Sequence, residues 1–123
     1  MAGNFAAGTL PDEMAAALTD TPTEELTELP FLTEEALGNP GAAYSIAKRG
    51  TQLRVQAAAA VWGERGARIN SVSPGVISTP MGRAELDGPS GEQMQSMVTA
   101  SAMKRYGSPD DIASAVDFLL DPQ

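Results

Sequence analysis

Two neighbouring stretches decide the fold: Ala42-Ala43-Tyr44-Ser45-Ile46-Ala47-Lys48-Arg49-Gly50-Thr51-Gln52-Leu53-Arg54-Val55-Gln56-Ala57-Ala58-Ala59-Ala60-Val61-Trp62, and Arg68-Ile69-Asn70-Ser71-Val72-Ser73-Pro74-Gly75. The first is rich in Ala, Leu, Gln and Arg and free of proline, which predicts one helix of about five turns over Ala42 to Trp62. Gly63 or Gly66 is its expected stop. The second alternates polar and apolar residues from Arg68 to Val72 and then meets Pro74-Gly75. Positions 67–73 are therefore expected to form a short strand that leaves into a tight turn. Helix, turn and strand in that order make half of an alternating α/β unit.

Downstream, positions 81–107 read as loop with one short helix around Glu92 to Ala100, and their Gly, Ser and Met content suits a mobile cover. Ser108-Pro109-Asp110-Asp111 combines an N-cap serine, proline at the first helical position and an acid three residues after the cap. A helix is expected over 109–120, with Ile112, Ala115, Val116 and Leu119 on one face and Asp121-Pro122 ending it. Upstream, every residue from Met1 to Ala47 is neutral or acidic, and the first basic residue is Lys48. Pro11-Asp12-Glu13, Thr23-Glu24-Glu25 and Thr33-Glu34-Glu35 each place acids where a helix begins, and Pro22, Pro30 and Pro40 keep the helices short. Positions 9–39 form an acidic helical insertion. Its simplest reading is a solvated face, with partner binding as the alternative.

The 123 residues, 42% of them hydrophobic, suit one small domain. The net charge of −8, from 16 acidic and 8 basic residues, repels a phosphate backbone and argues against nucleic acid as a partner. Apolar runs such as Ala57 to Trp62 are far shorter than the roughly 20 residues a bilayer span needs, and no charged-then-apolar leader opens the sequence. No membrane association and a cytoplasmic location are expected. There is no cysteine and no histidine. Disulfides, thiolate nucleophiles, Ser/His/Asp arrangements and the usual zinc spacings are thereby excluded, and no metal site is expected. Proton transfer near neutrality falls to Tyr, Lys, Asp or Glu.

Tyr44 and Lys48 are four apart near the start of the long helix, so both side chains share one face. A phenol titrates near pH ~10 and is a poor base at neutrality, but an adjacent ammonium stabilises its ionised form. Such a pair can exchange a proton with an alcohol or a carbonyl oxygen while a hydride moves to or from a nicotinamide. Taken alone, the spacing is also that of an ordinary exposed helix pair. The turn at Pro74-Gly75 adds weight, because ligands of open α/β sheets bind at the carboxyl ends of strands.

Tyr44-Ser45-Ile46-Ala47-Lys48, Arg68-Ile69-Asn70-Ser71-Val72-Ser73-Pro74-Gly75 and Arg105-Tyr106-Gly107-Ser108-Pro109-Asp110-Asp111-Ile112-Ala113 resemble three successive landmarks of the short-chain dehydrogenase/reductase family, in matching order and spacing. Within the family, Ala59-Ala60-Val61-Trp62-Gly63-Glu64 and an insertion ahead of the tyrosine helix are similar to the bacterial 3α-hydroxysteroid dehydrogenase/carbonyl reductase group. The resemblance implies an α/β fold, the C-terminal half of a Rossmann-type doubly wound parallel sheet, mostly helical here with one short strand. It implies an NAD- or NADP-dependent oxidoreductase interconverting a secondary alcohol and a ketone, with Tyr44 as acid/base and Lys48 binding the nicotinamide ribose. It also implies Ile77 backbone against the carboxamide and Thr79 near the carboxamide or pyrophosphate. Pro74, Gly75 and Val76 would line the nicotinamide, Met81 to Ala100 would cover the substrate, and the protein would be a homo-oligomer. Trp62 and Tyr106 read as packing residues.

The departures from the family are as informative. No Gly-rich phosphate turn follows a first strand, since Gly3 and Gly8 lack the spacing. The family's serine and asparagine ahead of the tyrosine helix have no counterpart, and Pro122-Gln123 precedes the family's last strand. The chain is therefore expected to be a partial Rossmann-type domain over 1–123, truncated, with apolar faces and strand edges unpaired, and marginal or oligomeric by itself. The competing reading is a non-catalytic remnant or interaction module that uses the acidic insertion and exposed helix faces.

Overall fold

A proline placed one residue after a capping side chain starts three of the helices. Asn39 Oδ1 accepts from the Ala42 amide at 3.0 Å, Thr79 Oγ1 from Gly82 at 3.0 Å and Ser108 Oγ from Asp111 at 3.2 Å, with Pro40, Pro80 and Pro109 next in line. Each side-chain oxygen satisfies an amide that has no partner inside the helix, and proline removes an amide that would also lack one. The computed structural model describes residues 8–122. The expectations placed on Gly3 and on Gln123 lie outside the described residues. The chain forms two compact units, one through Ser73 and one from Pro74.

In the first unit, α1 spans Asp12–Asp20, short 3-10 turns cover Thr23–Glu28 and Pro30–Leu32, α2 spans Glu34–Leu37, and α3 runs Pro40–Gly63. Gly38 after α2 and Gly66 after α3 turn the chain with φ of 70° and 69°, a left-handed conformation that costs glycine little. The acidic segment packs back on α3. Leu18, only 4% exposed, lies over the backbone of Gly50, where a glycine leaves a notch in the helix. Arg54, one turn further along α3, donates to the carbonyls of Leu18 at 3.2 Å and Thr21 at 2.8 Å and to Thr23 Oγ1 at 2.9 Å. A guanidinium thus caps the C-terminus of α1, where carbonyls lack helical partners and the helix dipole is negative. Between Gly50 and Arg54, Gln52 Nε2 donates to Ser73 Oγ at 2.7 Å.

A Cβ added at Gly50 would meet Leu18 Cδ2 at 3.6 Å, an ordinary contact. Gly50→Ala is therefore expected to stabilise the first unit by about 0.5–1 kcal/mol, the mid-helix cost of glycine. A lower midpoint in urea for the variant would refute the fit.

In the second unit, α4 spans Pro80–Leu86, α5 Gly91–Ala100 and α6 Pro109–Leu120. Val76 and Val98 are its buried hydrophobic side chains among the described residues. Ile77 and Gly107 form a parallel bridge, with Gly107 N–H donating to Val76 O at 2.9 Å and Ser78 N–H to Gly107 O at 2.8 Å. The strand expected at 67–73 does not form, and among the described residues this isolated bridge is the sheet-like pairing present. A strand depends on a neighbour for its amides and carbonyls, so an alternating pattern without a ladder partner stays irregular. The structure also adds α4, a helix inside the stretch read as loop. On α6, Ile112 and Leu119 are half-buried while Ala115 and Val116 are exposed, and the adjacent Phe118 is 79% exposed. No helix among the described residues is long and apolar enough to cross a membrane.

The start of α6 is doubly secured. Asp111 accepts from the Ser108 amide at 2.7 Å and takes a two-pronged bond from Arg105 at 2.8 and 3.0 Å. The Arg105 guanidinium first, and the Ser108 amide second, hold the Asp111 carboxyl well below the usual carboxylate range. A carboxyl whose value is lower in the folded chain contributes stability above its unfolded value of about 3.9, and loses it as pH falls through the folded value. The advantage of the native chain over Asp111→Asn in thermal midpoint is thus expected to be constant from pH 7 to about pH 5 and to shrink below about pH 4. The pair is solvent-exposed, so the effect is small and weakened by salt. A difference that stays constant down to pH 2 would contradict the assignment.

Candidate active site

With Asn39 and Pro40 fixing the first turn of α3, Tyr44 and Lys48 fall on successive turns of the same face. Lys48 Nζ lies 5.4 Å from the centre of the Tyr44 ring, within cation–π range. Tyr44 is 58% exposed. Among the described residues no hydrogen bond engages its hydroxyl or the Lys48 ammonium. A phenol that can donate and accept and an ammonium with three donors therefore stand side by side with their polar ends available. That arrangement fits proton exchange with a carbonyl or hydroxyl, and it fits donation to vicinal hydroxyls such as those of a ribose.

The other expected site residues, Pro74, Gly75, Val76, Ile77 and Thr79, belong to the second unit. Its Ile77 carbonyl accepts from Thr79 N–H at 2.9 Å, while among the described residues the Ile77 amide has no acceptor. Thr79 Oγ1 accepts from Gly82 but donates to no group among the described residues. An amide and a hydroxyl proton two residues apart are thus left to donate, which suits a carboxamide oxygen or a phosphate. Gly75 is exposed, Pro74 half-buried, and Val76 part of the core. Arg83 donates to Ser78 Oγ at 3.3 Å beside these groups. The unit carries an open cleft of about 750 Å³ between Ser78, Arg83, Asp87, Gln95 and Tyr106.

The reading of Trp62 as a packing residue meets a side chain 46% exposed in this structure. Tyr106 is half-buried and its hydroxyl donates to Gln95 Oε1. Asn39, which starts the tyrosine helix, and Arg54, which ties the acidic segment to it, differ in how local their signals are. Asn39 is followed by proline, the same cap-and-proline pattern read at Ser108. Arg54 had no local signal, because its partners lie 31 to 36 residues away.

The family model described as Enoyl-(Acyl carrier protein) reductase matches residues 14–123. A short-chain dehydrogenase/reductase of Alternaria brassicicola is 35% identical over 120 residues, covering 98% of this chain and 43% of the relative. The chain belongs to the short-chain dehydrogenase/reductase family. The 3-alpha-hydroxysteroid dehydrogenase/carbonyl reductase of Comamonas testosteroni is 37% identical over 81 residues, covering 65% of this chain and 31% of the relative. D-threitol dehydrogenase of Mycolicibacterium smegmatis is 38% identical over 77 residues, covering 63% and 28%. The chain thus spans less than half the length of these relatives. No solved structure matches it. Members of this short-chain dehydrogenase/reductase family are NAD(P)-dependent oxidoreductases of α/β fold. Because the Alternaria match takes in nearly the whole chain, the acidic segment ahead of Tyr44 is part of what this chain shares with a family member.

Proposed function

We propose that this chain carries the proton-transfer part of an NAD(P)-dependent oxidoreductase interconverting a secondary alcohol and a ketone. The observation that supports it most is the Tyr44–Lys48 pair, with Nζ 5.4 Å from the ring centre and no hydrogen-bond partner for either polar group among the described residues. When bound, the dinucleotide supplies or accepts the hydride. Tyr44 gives its hydroxyl proton to the carbonyl oxygen in reduction and takes it back from the alcohol in oxidation. Negative charge that develops on the ring oxygen in that exchange is stabilised by the Lys48 ammonium held beside it. Lys48 also donates to the nicotinamide ribose. In the second unit, the Ile77 amide and the Thr79 hydroxyl proton hold the carboxamide or pyrophosphate, and Pro74, Gly75 and Val76 line the nicotinamide ring. Met81 to Ala100 covers the substrate, and the protein acts as a homo-oligomer in the cytoplasm.

The family grips the dinucleotide phosphates with a Gly-rich turn that has no counterpart in the 123 residues. The test is a fluorescence titration of NADH and of NADPH against this chain and against a version joined to the family's first βαβ units and last strand. Binding by the joined version alone, with ketone reduction that Tyr44→Phe abolishes, is the expected outcome. Absence of binding by either would overturn the proposal in favour of a non-catalytic interaction module.

A further inference from the structure

We draw no further inference here: the strongest candidate, the apolar pocket between the acidic segment and α3 with the exposed Ala47 and Thr51 in its lining, is open to solvent, and nothing in the structure shows what covers it.

Discussion

Tyr44→Phe is expected to lower ketone reduction by about 10²–10⁴-fold, the usual worth of a positioned acid/base, with little change in stability. The two halves of that expectation come from one observation. The tyrosine hydroxyl has no hydrogen-bond partner among the described residues and the side chain is 58% exposed. Removing one oxygen there opens no cavity and orphans no buried group, so the folding free energy should move by no more than about 0.5 kcal/mol. What is lost is the hydroxyl proton that the proposed exchange hands to a carbonyl oxygen. The fall should appear in kcat at saturating dinucleotide, because the binding groups on the second unit are untouched. Lys48→Met should lower kcat and also weaken dinucleotide binding, since the lysine serves both ribose and ring. Equal turnover in native and Tyr44→Phe proteins joined to the family's dinucleotide half would remove Tyr44 from the mechanism.

The largest stability effect is expected in the second unit, from Gly91→Ala. A Cβ at Gly91 would sit 2.0 Å from Leu86 O, a backbone atom that cannot swing aside. The same steric argument holds at Gly82, where the Cβ would be 2.2 Å from Ile77 O. Here the gain in helix propensity is overwhelmed by a clash that only a shift of α4 against α5 relieves. Overpacking of this kind typically costs about 1–3 kcal/mol and more when backbone must move. In a unit whose buried hydrophobic side chains among the described residues are Val76 and Val98, such a loss is enough to unfold it. Amide resonances of residues 74–122 should collapse toward random-coil positions in Gly91→Ala. Gly63→Ala is the control, because nothing lies within 4 Å of its added Cβ. A native-like spectrum for Gly91→Ala would show that the close approach is relieved at little cost.

Most of what could be read in advance was local. The long helix was legible because a stretch rich in Ala, Leu, Gln and Arg runs from Ala42 to Trp62 without a proline, and α6 because Ser108-Pro109 and Asp111 write a capping box into four positions. The same cap-and-proline signature stands at Asn39-Pro40 and Thr79-Pro80. At the first it starts the helix at Pro40, two residues ahead of the expected Ala42, and at the second Gly82 beside it weakens the helical pattern. The failed strand has a different cause. Alternation at Arg68 to Val72 describes a residue's preference for a sheet face, and the preference is realised only where another strand offers its amides and carbonyls.

The same division applies to the candidate site. Spacing of four on a helix was enough to place Tyr44 beside Lys48, since the helical repeat sets that geometry whatever surrounds it. The caps, the helix positions and the Tyr44–Lys48 face were determined by the sequence alone, through bonds that reach no farther than four residues. Whether Arg68–Val72 pairs, that Arg54 ends α1 from 31 to 36 residues away, and that Leu18 seats over Gly50 of α3 were decided only by the tertiary structure. Those features depend on groups distant in the chain meeting at contact distance, and no local pattern of residues specifies which distant groups will meet.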